Sequence, residues 1–112
     1  MFDLKWTPAE KKAAHAAFEG ALSRERAAIR RDIEAMLRGS NDGTEIWAIR
    51  DFLNAKGRDL DQKYDFRYSV LIGVFARLMA EGWLTHEDVA DLDMAKQGLI
   101  REHSTVWKRA DA

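Results

Sequence analysis

The sequence contains no cysteine, a single proline and no apolar run long enough to cross a membrane. Without cysteine there is no disulfide framework, no thiolate metal ligand and no thiol nucleophile. The most apolar stretch, residues 70–76, lies between Arg67 and Arg77 and is far shorter than the ~20 residues of a membrane span. The opening residues also lack the basic and then apolar order of a secretory signal. These absences predict a cytoplasmic protein that does not enter membranes.

An excess of charge of either sign is also missing, because 18 Lys and Arg residues face 19 Asp and Glu residues. Proteins that bind nucleic acids usually carry a basic excess, since they neutralise phosphates. One basic stripe does exist, in which Arg24, Arg31 and Arg38 recur every seven residues. The stripe leaves a nucleic-acid-associated regulator as an alternative, while the overall balance argues against nucleic acid as a partner.

Motifs of catalysis and cofactor binding are absent as well. His15, His86 and His103 are widely separated and do not show the spacing of metal ligands. Gly39 and Gly43 bracket a loop that lacks the Lys-Ser/Thr of a phosphate-binding loop. No serine lies in a nucleophile elbow. We therefore expect a protein that is not an enzyme and that binds no cofactor and no metal.

What the sequence has in abundance is helix-forming residues, with 46% hydrophobic and 33% charged positions among 112 residues. This length is typical of one domain with one core. We predict a single all-helical domain over residues 1–112, with flexible ends at 1–6 and 108–112. The fold class is all-α with about four helices.

The first predicted helix is unusually long. It begins at a capping box formed by Thr7 and Glu10, with proline at the first helical position. It continues to Arg38, where Gly39 provides a stop. Glu25 interrupts its apolar stripe, which is typical of an ion pair with Arg26 or with an arginine of another helix, or of a polar contact in a helix–helix interface. About 30 residues in one helix of a small domain favours packing against a second chain, and we therefore predict a homodimer.

Three further helices follow the loop at residues 39–43. The second helix has an inner apolar stripe of Ile46, Ile49, Leu53 and Leu60. The third is predicted to be buried and central, over residues 70–81, with Gly82 after its end. The last helix is predicted to start at Thr85, whose partner Asp88 stands three residues on, as in a capping box.

One face of the second helix carries a candidate partner- or dimer-binding site. Trp47, Asp51, Asn54 and Arg58 recur at helical spacing outside the apolar stripe, with Arg50 alongside. Tryptophan, aspartate and arginine on an outward face match the composition of protein-binding hot spots. The alternative is that Trp47 belongs to a broad buried face. We call these five residues the Trp47 surface.

The same region resembles a known family. The runs IWAIRDFLNAK at 46–56 and DQKYDFRYSV at 61–70 are similar to the fluorescence recovery proteins of cyanobacterial photoprotection. Trp-x-x-x-Asp-Phe-Leu followed by Asp-x-Lys-Tyr-Asp is specific enough to stand out from ordinary helix sequence. The resemblance extends from residue 6 to about residue 102.

The resemblance implies an all-helical homodimer without cofactor or catalytic site. It implies a protein that binds the photoactivated orange carotenoid protein, speeds its return to the resting form and promotes its release from phycobilisomes. Trp47 and Asp51 match family positions on the functional dimer surface.

Three residues depart from the family pattern. Gly57 stands where the family has a functionally important arginine, with Arg58 one place later. Arg50 replaces a family histidine, and Gly73 replaces a bulky aromatic residue of the third helix. These departures leave open a divergent homodimeric helical module with a different protein partner.

Overall fold

The computed structural model describes residues 4–39 and 42–110, and this part of the chain contains four α-helices and no strand. The all-α fold class is thereby confirmed. The elements, in chain order, are α1 (Pro8–Arg38), α2 (Glu45–Lys63), α3 (Leu71–Ala80), a 3-10 turn (Glu87–Val89) and α4 (Met94–Ala110).

The long first helix begins and ends as the sequence predicts. The Glu10 amide donates to Thr7 Oγ1 at 3.1 Å, and the Thr7 amide donates back to Glu10 Oε1 at 3.1 Å. The helix ends at Arg38, and the amide of Gly39 donates to the carbonyl of Met36. Both ends are thus determined by local capping, which explains why the sequence alone was sufficient to place them.

The hydrophobic core lies between the N-terminal half of α1 and the helices α3 and α4. α3 packs most extensively against α4, and six of its ten residues are buried. Phe18 of α1 meets Phe66 edge-on, with ring centroids 5.0 Å apart. The prediction of a buried central third helix is confirmed. Gly82 follows it with φ of 87°, a left-handed conformation that favours glycine.

The rest of α1, together with α2, extends away from this core. No buried residue of α1 lies beyond Glu25, and the only buried residue of α2 is its last, Lys63. We call residues 26–38 and 45–63 the arm, and the remaining described residues the body. The radius of gyration of 16.5 Å exceeds the ~13 Å of a compact chain of this length.

The predicted inner stripe of α2 is only partly correct. Ile49 and Leu60 are half-buried, but Ile46 is 56% exposed and Leu53 is 44% exposed. The physical reason is that α2 contacts the body near its C-terminal end, so that in a single chain nothing covers this side of its N-terminal half.

The predicted start of the last helix is wrong. Thr85 and Asp88 do exchange capping hydrogen bonds, of 3.3 Å and 2.8 Å, but they cap only the 3-10 turn. α4 begins later, where the Asp93 carboxylate accepts a hydrogen bond of 2.8 Å from the amide of Lys96. Val89, at the end of the 3-10 turn, and Leu92, just before α4, are both part of the core.

The two ends that were expected to be flexible are described only in part, since residues 1–3 and 111–112 lie outside the described residues. Leu4 and Trp6 pack against the core, and the Trp6 ring lies 5.4 Å from that of Tyr68. Residues 108–110 belong to α4.

Candidate protein-binding surface

All five residues of the Trp47 surface lie on one side of α2 and are exposed. Successive residues of an α-helix turn by about 100°, so the spacing of these positions confines them to one face. Trp47 is 62% exposed. In the single chain, Trp47 therefore does not belong to a buried face, contrary to the alternative that the sequence left open.

The structure brings three of these side chains into contact. Arg50 Nη2 lies 2.9 Å from Asp51 Oδ1, and the Arg50 guanidinium carbon lies 5.4 Å from the centroid of the Trp47 ring. Asn54 and Arg58 follow about one and two turns after Asp51. An exposed ion pair contributes little to stability, so this arrangement is better suited to contacts with another molecule than to holding the helix.

Exposed apolar side chains of the arm accompany the Trp47 surface. Leu37, at the end of α1, is 51% exposed, and Ile46 and Leu53 of α2 are similarly uncovered. Soluble monomers rarely leave several large apolar side chains exposed together, and such groups mark interaction sites. The arm thus combines apolar contact area with an arginine, an aspartate and a tryptophan.

A buried ionic cluster, which sequence reasoning missed, joins the arm to the body. Lys63 Nζ lies 2.7 Å from Glu25 Oε2 and 2.7 Å from Glu81 Oε1, and the hydroxyl of Tyr64 donates to Glu25 Oε1 at 2.8 Å. The ion pair that the structure shows for Glu25 does cross between helices, but its partner is Lys63 and not the expected arginine. We call Glu25, Asp59, Lys63, Arg77 and Glu81, with Tyr64, the Lys63 cluster.

The surroundings of Lys63 and Glu81 favour the charged forms of these two side chains. Burial lowers the pKa of Lys63, but hydrogen bonds to Glu25 and Glu81 outweigh this effect and hold the pKa above its ordinary value. Burial likewise raises the pKa of Glu81, yet hydrogen bonds from Lys63 and Arg77 bring it below its ordinary value. Burial and the hydrogen bond to Glu25 both raise the pKa of Tyr64, which therefore stays protonated as a donor.

A second buried ionic cluster ties the beginning of α1 to the beginning of α4. Lys96 Nζ lies 3.1 Å from Glu10 Oε2 and 2.9 Å from Asp93 Oδ2, and it stands 5.1 Å from the centroid of the Trp6 ring. The amide of Asp93 also donates to Glu10 Oε2 at 3.0 Å. These contacts lie within the body and do not involve α2.

Acidification is expected to destabilise the protein through these carboxylates. Backbone hydrogen bonds from Thr7 and Asp93 hold the pKa of Glu10 below its ordinary value of 4.5. The hydrogen bond from Arg24 likewise holds the pKa of Asp88 below 3.8. Below these ordinary values the unfolded chain binds more protons than the folded chain, so the free energy of unfolding falls as the pH falls.

Urea unfolding followed by circular dichroism at pH 6, 5, 4 and 3 measures this dependence. Glu10→Gln is expected to show a shallower loss between pH 5 and pH 3 than the parent chain. An unchanged free energy of unfolding across this range would contradict the assignment.

Arg24, the first residue of the basic stripe of α1, is paired within the chain. Arg24 donates to Asp88 Oδ2 at 2.7 Å and to the carbonyl of Trp83 at 2.8 Å. Its guanidinium therefore serves to attach α1 to the 3-10 turn. Among residues 4–39 and 42–110, no group of three or more His, Asp or Glu residues is arranged to hold a metal ion. None of the helices described is both long enough and apolar enough to span a bilayer.

Gly57 of α2 and Gly73 of α3 both lie at clefts. Gly57 lies in a cleft of about 330 Å³ between α1 and α2, beside Leu22 and Tyr64. Gly73 lies in a cleft of about 260 Å³ beside Arg77 and Trp107. A Cβ atom at either glycine would meet no other atom within 4 Å, so neither residue is required by close packing within the chain.

Comparisons with known proteins agree on one family. Residues 6–103 match the family described as photoprotection regulator fluorescence recovery protein. The chain is 38% identical over 96 residues to the fluorescence recovery protein of Synechocystis sp. PCC 6803, which covers 86% of this chain and 88% of that protein.

Solved structures give the same result. The fold matches the structure of the Synechocystis fluorescence recovery protein with a TM-score of 0.83 at 36% identity. It matches the Fremyella diplosiphon fluorescence recovery protein with a TM-score of 0.82 at 37% identity. Each alignment covers 90% of this chain and 99% of the other.

Proposed function

We infer the function from a premise that is established: the chain belongs to the fluorescence recovery protein family of photoprotection regulators. We propose that it acts as a homodimer in the cytoplasm, that it binds another protein and that it catalyses no covalent reaction. The partner that we propose is a photoactivated carotenoid-binding protein of the orange carotenoid protein type.

The observation that carries this proposal is the exposed Trp47 surface together with the uncovered apolar side chains of the arm. Trp47 at 62% exposed and Ile46 at 56% exposed leave apolar area without cover in the single chain. A second copy of the arm would cover such side chains, since a homodimer buries the same patch of both subunits. Supporting this, α1 is 31 residues long and its second half contributes nothing to the core of its own chain.

The proposed mechanism is differential binding. A regulator shifts a partner between two conformations only if it binds them with different free energies. We propose that the chain binds the conformation through which the carotenoid protein passes on its return to the resting form, and that it binds this conformation more tightly than the photoactivated form. The return to the resting form is thereby accelerated, and the carotenoid protein is released from the phycobilisome.

Recovery kinetics of a photoactivated orange carotenoid protein test the proposal directly. The absorbance of the carotenoid is followed in the dark, with and without a molar excess of the chain. We expect faster recovery, rising with concentration until it saturates. A rate that is unchanged at excess protein would contradict the proposed partner, and would favour a divergent family member that acts on a different protein.

A further inference from the structure

We propose that Lys63 is a positioning residue, which holds α2 at one orientation on the body and so determines where the Trp47 surface is presented. The inference concerns this chain alone, and it rests on the proposed function only for its consequence for binding. Its basis is the position of the Lys63 cluster, where α1, α2 and the end of α3 meet.

The first argument is connectivity. Lys63 is the last residue of α2, and its ammonium contacts Glu25 of α1 and Glu81, which directly follows α3. Arg77 of α3 extends the cluster back to α2, since its guanidinium lies 3.2 Å from Asp59 and 2.9 Å from Glu81. Three helices are therefore joined through side-chain contacts at one end of α2.

The second argument is that α2 has little else to hold it against the body. None of its residues belongs to the hydrophobic core, and the Lys63 side chain is only 1% exposed. Apolar contacts are non-directional and tolerate sliding. A buried lysine between two carboxylates at 2.7 Å is directional, because an ammonium that loses a partner there is left uncompensated in a medium of low dielectric.

The third argument is the distance between Lys63 and Trp47, because a small rotation of α2 about Lys63 becomes a large displacement at Trp47. Trp47 stands 16 residues before Lys63, which is about 24 Å along the helix axis. A rotation of α2 by about 10° about Lys63 would move Trp47 by about 4 Å. The backbone of preorganised interfaces, in contrast, moves by no more than about 1 Å on binding. Small changes at Lys63 are therefore expected to misalign the Trp47 surface while leaving every helix intact.

The balance of charge in the Lys63 cluster predicts which substitution separates the helices that meet there. The cluster contains two cations, Lys63 and Arg77, against three carboxylates. Lys63→Met keeps the length of the side chain but leaves Glu25 and Glu81 without their shared cation. The two carboxylates then repel each other, and the buried Glu25 carboxylate gains free energy by becoming hydrated. Both effects favour separation of α1 from the end of α3.

The chain offers a closely matched control in Lys96→Met. Counted as whole residues, Lys96 and Lys63 are each 3% exposed, and the ammonium of each contacts at least two carboxylates. The ionic cluster that Lys96 forms with Glu10 and Asp93 does not include any residue of α2. Both substitutions are expected to lower thermal stability, so a shift in the arm that occurs only in Lys63→Met separates positioning from a general loss of stability.

Spin-label distances provide the measurement, and the lack of native cysteine makes labelling specific. Exposed Ala48 in the arm and exposed Thr105 in the body are changed to cysteine and labelled. The labelled chain is mixed with an excess of unlabelled chain of the same variant, and pulsed double electron–electron resonance reports the distance within one chain. We expect one narrow distribution for the parent and for Lys96→Met, and a distribution broadened or shifted by several ångströms for Lys63→Met.

Binding is measured in parallel on the same variants. We expect the dissociation constant of the dimer to rise about tenfold or more for Lys63→Met and to change less than twofold for Lys96→Met.

Two further variants are compared by the spin-label distance. Lys63→Arg, which keeps the cation, is expected to recover much of the distance distribution of the parent. Glu81→Gln, at a side chain that is 26% exposed, is a milder second variant and should broaden the distribution in the same sense.

An unchanged distribution in both Lys63→Met and Glu81→Gln would overturn the proposal, as would an equal shift in Lys96→Met. If Lys63→Met fails to fold, Glu81→Gln decides by the same criterion. The distance requires no carotenoid protein, so its result is independent of the proposed partner. If the distance shifts in Lys63→Met while the parent chain does not accelerate carotenoid recovery, the positioning role is supported and the proposed function is contradicted.

Discussion

Trp47→Ala is expected to weaken the association of two chains by about 2 kcal/mol or more, which is a factor of about 30 in the dissociation constant. The reason is that truncation removes a large aromatic side chain that is 62% exposed in the single chain and that we expect the second chain to cover. Light scattering along a dilution series measures the effect. The parent is expected at twice 12.8 kDa at micromolar concentration, and the variant is expected to fall to 12.8 kDa at a concentration about 30 times higher than the parent does.

Met94→Ala is the control for this experiment. Met94 is 75% exposed, lies at the beginning of α4 in the body and not on the arm, and contributes no side chain to the Lys63 cluster. Its removal is expected to leave the dissociation constant of the dimer within about twofold. A parent chain of 12.8 kDa would rule out the dimer. A Trp47→Ala variant that loses thermal stability but keeps the parent's mass would show that Trp47 supports the fold and not the interface.

Phe75→Ala is expected to lower the free energy of unfolding by about 3–5 kcal/mol, from the lost burial of the ring and the cavity it leaves. Phe75 is 0% exposed at the centre of α3 and is among the largest fully buried side chains. Small domains have total stabilities of about 5–15 kcal/mol, so this one change removes a large fraction. Urea unfolding followed by circular dichroism provides the measurement.

Val106→Ala serves as the comparison, since Val106 is 59% exposed on α4. Its expected effect lies within about 0.5 kcal/mol, as for most surface substitutions. If Phe75→Ala cost no more than Val106→Ala, the assignment of α3 to the centre of the core would be incorrect.

Much of the fold was predictable because it depends on neighbours in sequence. The capping box of Thr7 and Glu10, and the left-handed Gly82 after α3, each involve residues within a few positions of one another. The residues of the Trp47 surface were predictable for the same reason, because helical spacing alone places them on one face of α2. The start of α4 was missed, because capping sequences stand both at Thr85 and at Asp93, and helical spacing alone does not show that α4 begins at the second.

The sequence by itself therefore determined the helices, apart from the start of α4, and the residues that share a helix face. The tertiary structure alone decided which faces remain uncovered and which charges are paired. Lys63 meets Glu25 across 38 positions of the chain, and Lys96 meets Glu10 across 86. No spacing rule connects residues so far apart, because their contact depends on how whole helices pack. Ile46 and Leu53 have the pattern of an inner stripe, yet they are exposed in the single chain, since no other helix of that chain covers the N-terminal half of α2.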